Sequence, residues 1–257
     1  MMNDRLRLIR ALSERGSIAA DAEADALLAA SKDGGGPVHD LLTRRLQGEP
    51  LAWIVGWTRF CGVRVRVDAG VFVPRPHTEA LARRAVSLLP EQGVAVDLCT
   101  GCGAIAAVLG RARHRATVFA TDVDAVAVAC AQRNGVRALI GDLDAPLPSA
   151  VRGRVDVMTS VVPYVPTEAL HLLPSDVQRF EPRRALDGGP RGTSTLVRAA
   201  QAAADLLRPA GSVLLEIGGD QAEEMEAVLE DLGLVEMHVH RDDEGQDRAI
   251  EARRPDT

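Results

Sequence analysis

Apolar residues recur at a spacing of about 3.6 across Arg5–Glu14, Ile18–Ala30 and Val38–Gln47, which predicts three short amphipathic helices. Gly16-Ser17 and the run Lys32-Asp33-Gly34-Gly35-Gly36-Pro37 separate them as turns. The period then changes. Val63-Arg64-Val65-Arg66-Val67 alternates apolar and polar positions, the pattern of a hairpin strand with one wet face, and Pro74 and Pro76 end the pairing. From Val94 onward, apolar runs alternate with helical stretches. Strands are predicted at Val94–Leu98, Thr117–Thr121, Arg137–Ile140, Val155–Ser160, Ser212–Ile217 and Leu234–His240. Helices are predicted between most of them, at Ala104–Arg113, Asp124–Asn134, Ser194–Leu207 and Gln221–Leu232, and Arg248–Ala252 adds a last antiparallel strand. This order predicts an α/β fold with a doubly wound, mostly parallel sheet. The chain divides into a helical cap (1–50), a β-hairpin linker (51–76) and a large α/β domain (77–257).

With 257 residues, 46% hydrophobic and 26% charged, the chain can bury a sizeable core; it is neither a disordered chain nor a disulfide scaffold. The net charge of −6 is unevenly spread. Residues 1–50 hold 7 basic and 8 acidic groups (net −1), residues 216–257 hold 4 and 14 (net −10), and the middle holds 19 and 14 (net +5). The basic centre leaves an anionic partner open, although nothing in the pattern calls for direct contact with nucleic acid. All basic residues but Lys32 are arginines. The N-terminus is charged throughout, without the apolar core of a signal peptide, and uncharged runs such as Leu98–Gly110 are too short to cross a bilayer. Four cysteines in such a chain read as reduced thiols. A cytoplasmic protein without a membrane partner is expected. The six histidines lack metal-ligand spacing, so no metal is expected either.

The candidate chemistry sits where the first strand of the large domain ends, in Asp97-Leu98-Cys99-Thr100-Gly101-Cys102-Gly103-Ala104-Ile105-Ala106. A glycine-rich turn between strand and helix lets a ligand approach the backbone. The second strand ends in Thr121-Asp122, where a carboxylate is placed to accept both hydroxyls of a ribose. Together they predict an adenosine-containing cofactor. Asp97 would repel a pyrophosphate but suits a cationic ligand, so S-adenosylmethionine is the better reading and a nicotinamide oxidoreductase the alternative. The expected cofactor residues are Asp97, Cys99, Thr100, Gly101, Cys102, Gly103 and Asp122, with either Asp142 placed to accept an adenine amino group and Leu143 to pack on the ring, or Gly141-Asp142 forming a plain turn. Cys99-x-x-Cys102 has the spacing of a redox pair, but it falls inside the nucleotide turn and reads as two small residues.

Several dispersed segments resemble the release-factor glutamine methyltransferases, the protein-(glutamine-N5) methyltransferases. They are Gly48-Glu49-Pro50-Leu51-Ala52 with Ile54-Val55-Gly56; Phe72-Val73-Pro74-Arg75-Pro76-His77-Thr78-Glu79, similar to a PRPETE signature; the Asp97–Ala106 loop; Phe180–Gly189; and Leu215-Glu216-Ile217-Gly218. The resemblance implies a class I methyltransferase fold, S-adenosylmethionine as cofactor and a peptide chain release factor as partner. It also implies a substrate clamp. In that family the fourth strand ends in N-P-P-Y, whose asparagine and following carbonyl accept the two hydrogens of the target amide. Here the segment is Ser160-Val161-Val162-Pro163-Tyr164. Val161 has no acceptor, the Val162 carbonyl still does, and Tyr164 is expected to pack on a planar target. If the asparagine contributes as much as an oxyanion-hole donor, its loss costs roughly 3–4 kcal/mol, or about 10²–10³ in rate. Three outcomes follow: weak parent activity, a different acceptor that needs no amide clamp, or cofactor binding without turnover. Phe72 matches the family aromatic beside the transfer centre, or is hairpin core. Thr78 and Glu79 read as capping residues at a helix start or as lining of the cofactor pocket, and His77 as a surface histidine or a general base.

Overall fold

The computed structural model describes residues 2–256. Four helices come first: α1 (Met2–Glu14), α2 (Ala20–Ala30), α3 (Val38–Leu46) and α4 (Leu51–Val55). Leu8 and Leu12 of α1, Ala24 and Leu27 of α2, Leu41 of α3 and Ile54 of α4 form one buried cluster. The last of these helices lies inside the stretch expected to be all β. LAWIV is too short for its apolar run to distinguish strand from helix. Gly56 settles the matter locally by closing α4 in the left-handed region at φ 80°, a helix C-terminal signal. The hairpin is therefore shorter than expected: β1 (Trp57–Phe60) pairs antiparallel with β2 (Val63–Arg66).

The remainder alternates: α5 (Thr78–Leu88), β3 (Val94–Leu98), α6 (Ala104–Ala112), β4 (Thr117–Asp122), α7 (Ala125–Arg133), β5 (Ala138–Ile140), β6 (Val155–Ser160), α8 (Ser175–Phe180), α9 (Ser194–Leu206), β7 (Leu207–Glu216), α10 (Ala222–Asp231), β8 (Val235–Arg241) and β9 (Asp247–Arg253). Seven strands form one sheet in the order β5-β4-β3-β6-β7-β9-β8, parallel from β5 to β7 and antiparallel at β9 and β8. Side chains of successive residues leave a strand on opposite faces. Val96, Leu98 and Met158 pack accordingly with Leu196, Ala199 and Ala203 of α9, while Ala95, Val157 and Leu214 pack with Leu81 and Ala85 of α5 and Ile105 of α6. Helices on both faces explain why these strands read as continuous apolar runs.

Chain order reverses at β3, which pairs with β4 on one side and β6 on the other. That switch opens a crevice beyond the carboxyl ends of the strands, where open α/β sheets take their ligands. Among the described residues, no helix is long and apolar enough to cross a membrane.

Candidate active site

A cavity of about 400 Å³ occupies that crevice. Its floor is the turn from β3 into α6. Gly101 and Gly103 take φ of 56° and 82°, and Cys99 also lies in the left-handed region at 56°. A Cβ at Gly101 would meet nothing within 4 Å, so the backbone there faces open space. At Gly103 a Cβ would press on Ala131 and Val136 at 3.0 Å, so this glycine seats α6 and α7 against each other and does not line the cavity.

Asp122, at the end of β4, orders the turn. One carboxylate oxygen accepts the Gly101 amide at 2.9 Å, the other the Asp124 amide at 2.9 Å. Each oxygen keeps a second lone pair, and the carboxylate lines the cavity. Asp97 is almost completely buried, with Thr100 donating to one oxygen at 2.6 Å and Thr159 of β6 to the other at 2.7 Å. Burial pushes its carboxyl up to about 6, against those hydrogen bonds, which favour the charged form. Thr159 is a supporting residue that sequence reading missed; only the β3–β6 register, pairing Asp97 with Thr159, reveals it.

Cys99, Thr100 and Cys102 all line the cavity. Burial raises the Cys99 thiol to about 12 and the Cys102 thiol still further, so both stay protonated and serve as small residues. Asp142 and Leu143 close the far side. Asp142 is bound to Arg198 of α9 at 2.6 Å, a partner its Gly-Asp context did not disclose.

The opposite wall is apolar. Phe72 lines it with Phe60, Val71, Pro74, Val161 and Pro163. Arg75 lies 4.5 Å over the Phe72 ring, and its guanidinium donates to both oxygens of buried Glu181 at 2.8 Å. Two members of the expected clamp lie outside this wall. The Val162 side chain is buried in the sheet core, although its carbonyl accepts no hydrogen bond among the described residues. Tyr164 turns its ring toward Gly218, where a Cβ would stand 2.9 Å from it. Burial and the Glu216 carboxylate push its hydroxyl up. The expectation that this ring packs on a planar target is therefore corrected: it packs on the backbone after β7.

At the start of α5, Thr78 follows the pocket-lining reading and not the capping one, and the surface reading of His77 is corrected. His77 precedes α5 without a side-chain cap, and Thr78 donates instead to Glu216 of β7 at 2.5 Å while lining the cavity. His77 is half-buried, its Nε2 3.4 Å from the other Glu216 oxygen.

Comparison with known proteins gives this geometry a context. A family described as the methyltransferase small domain matches residues 62–142. A release factor glutamine methyltransferase from Bordetella pertussis is 39% identical over 235 residues, covering 86% of each chain. One from Moorella thermoacetica is 38% identical over 225 residues, covering 83% of this chain and 78% of its own. Among solved structures, a methyltransferase from Pyrococcus furiosus superposes with a TM-score of 0.56 at 20% identity, covering 76% of this chain and 90% of its own, a likeness of fold alone. The relatives favour the methyl-donor reading over the nicotinamide alternative.

Proposed function

Because the chain belongs to the release factor glutamine methyltransferase family and is an S-adenosylmethionine-dependent methyltransferase, we propose that it methylates the side-chain amide of a glutamine in a peptide chain release factor. The observation that carries this reading is the junction of two surfaces in one crevice: the acidic turn of Asp97 and Asp122, and the apolar wall that includes Phe72, Val161 and Pro163.

The cavity residues fit S-adenosylmethionine. Gly101 leaves the backbone open, Asp122 offers paired acceptors for ribose hydroxyls, and Asp97 offers negative charge to a cationic ligand. When bound, the cofactor supplies an electrophilic methyl group on a sulfonium. The chain's own part is positioning. An amide nitrogen is a poor nucleophile because its lone pair is delocalised into the carbonyl, so catalysis rests on holding it in line and on accepting its hydrogens. The Val162 carbonyl is the acceptor this chain retains. Phe60, Val71, Phe72 and Pro74 keep the cavity apolar beside Val161 and Pro163, and a hydrogen bond made in such surroundings is stronger than one in water.

Val161 favours a second reading, an acceptor other than a primary amide, because the wall is apolar where the second amide hydrogen would need a partner. The two are separated by incubating a purified release factor with methyl-labelled S-adenosylmethionine and the chain, then mapping the label by mass spectrometry. Label on a glutamine side chain is expected. An unlabelled factor, with S-adenosylhomocysteine still bound normally, rejects the glutamine acceptor.

A further inference from the structure

A second cavity of about 450 Å³ lies at the other end of the sheet, where α6 ends and β4 and β5 begin. Its recess is built from small residues, Ala106, Ala107, Gly110, Ala116 and Gly135, and from Val65, Val118 and Val136. Arg64, Arg111 and Arg137 stand around it, and among the described residues no aspartate or glutamate lines it.

Among the described residues, none of these three guanidiniums donates to a carboxylate or a carbonyl. Their neighbours behave differently: Arg66 and Arg133 both bind Asp68, and Arg113 donates to the Leu89 and Val86 carbonyls. Two of the three are nevertheless held in place. Arg64 lies 4.4 Å over the Trp57 ring and Arg137 4.4 Å over the Phe119 ring. A stacked guanidinium is fixed in its plane while its edge N–H groups stay available, the geometry that suits a bidentate contact to phosphate oxygens. The C-terminus of α6 attracts Arg111 through its own partial negative charge. That accounts for one cation and not for Arg64 on β2 or Arg137 before β5.

We propose that this cavity binds a nucleoside phosphate, its phosphate held by Arg64, Arg111 and Arg137 and its base in the small-residue recess. The same unit can arrive as a free ribonucleotide or as part of an RNA strand. The site gives the net +5 of the middle stretch a location and revises the expectation that nucleic acid is not contacted. It stands apart from the methyl-transfer reading, because no residue is shared between the two cavities.

The test measures binding of uridine diphosphate, inorganic pyrophosphate, a short single-stranded RNA and polyglutamate to the full chain. It uses the triple variant Arg64→Gln/Arg111→Gln/Arg137→Gln and a second variant, Gly110→Leu. A Cβ at Gly110 meets nothing within 4 Å, so a leucine is accepted by the helix at a position that lines the cavity. Uridine diphosphate is expected to bind more tightly than pyrophosphate, the triple variant to weaken both at least about tenfold, and Gly110→Leu to abolish the preference. If RNA is the source, it binds more tightly than the free nucleotide and loses roughly 20-fold between about 50 and 200 mM salt, as three phosphate contacts require. If the free nucleotide is the source, RNA gains nothing over it. Pyrophosphate binding as tightly as uridine diphosphate, polyglutamate binding as tightly as RNA, or a triple variant with unchanged affinities overturns the proposal. S-adenosylhomocysteine affinity, measured in parallel, is expected to be the same in all variants and shows that they are folded.

Discussion

Asp97 and Asp122 sit in one cavity but in different states of solvation. Asp97, walled in between β3 and β6, has its carboxyl raised to about 6 by burial. The folded chain thus holds that proton more tightly than the unfolded chain, whose aspartate titrates near 3.9. Stability therefore falls as pH rises from about 4 to 6, by about 3 kcal/mol in all, and the loss persists above 6. The ionised form is the one that serves a cationic ligand. S-adenosylhomocysteine affinity is accordingly predicted to drop about tenfold per pH unit below about pH 6. Asp122 is raised by burial too, so the step is assigned by Asp97→Asn, which should bind weakly and without the Asp97 step; an unchanged profile in that variant contradicts the assignment. Asp122→Ala removes the acceptor for the Gly101 and Asp124 amides as well as a ligand contact. Calorimetry should show S-adenosylhomocysteine binding weakened roughly 10- to 100-fold, as for a lost hydrogen bond to a charged group, and unchanged binding would remove Asp122 from the site.

The segment between the hairpin and α5 is held by contacts that no local pattern encodes. Arg75 reaches Glu181, 106 residues away, and Thr78 reaches Glu216 across 138. Arg75→Ala leaves the Glu181 carboxylate buried and unpaired, which should destabilise the chain by about 3 kcal/mol. A urea titration checks this: a loss of unfolding free energy below about 0.5 kcal/mol contradicts it, and a Glu181→Leu change added to Arg75→Leu should recover most of the loss. The same distances set what the sequence discloses. Strands buried on both faces and a glycine turn between β3 and α6 are local patterns, and Asp122 follows the turn at a regular interval, so these elements were legible. Thr78 was read as a cap because its local context is a helix start, whereas its hydroxyl is committed to a strand that forms much later in the chain. Tyr164 was read from its motif as a substrate contact, but the close approach permitted by Gly218 draws its ring away.

At the scale of the molecule, α4 joins two cores. Ile54 packs with α1–α3, while Ala52 and Trp53 pack with the hairpin and α5, and Trp53 Nε1 donates to the Val71 carbonyl at 2.9 Å beside the cavity wall. Trp53 also meets Phe180 edge-on at 6.4 Å, and Arg179 donates to the Gln47 carbonyl. Among the described residues, the first three helices contribute none to the cavity at the carboxyl ends of the strands. A chain lacking residues 1–47 is predicted to bind S-adenosylhomocysteine with affinity within about threefold of the full chain, on the principle that distant independent sites add. Its KM for a release factor should rise. Loss of cofactor binding in a folded truncation would place the cap in the cofactor site instead. Whether this methyltransferase acts on a glutamine amide with one acceptor, the Val162 carbonyl, where the N-P-P-Y motif it resembles adds an asparagine side chain, is tested by single-turnover methylation of a purified release factor by Val161→Asn and the parent chain. A rate about 10²–10³ higher is expected for Val161→Asn, at unchanged S-adenosylhomocysteine affinity. A variant no faster than the parent would contradict it.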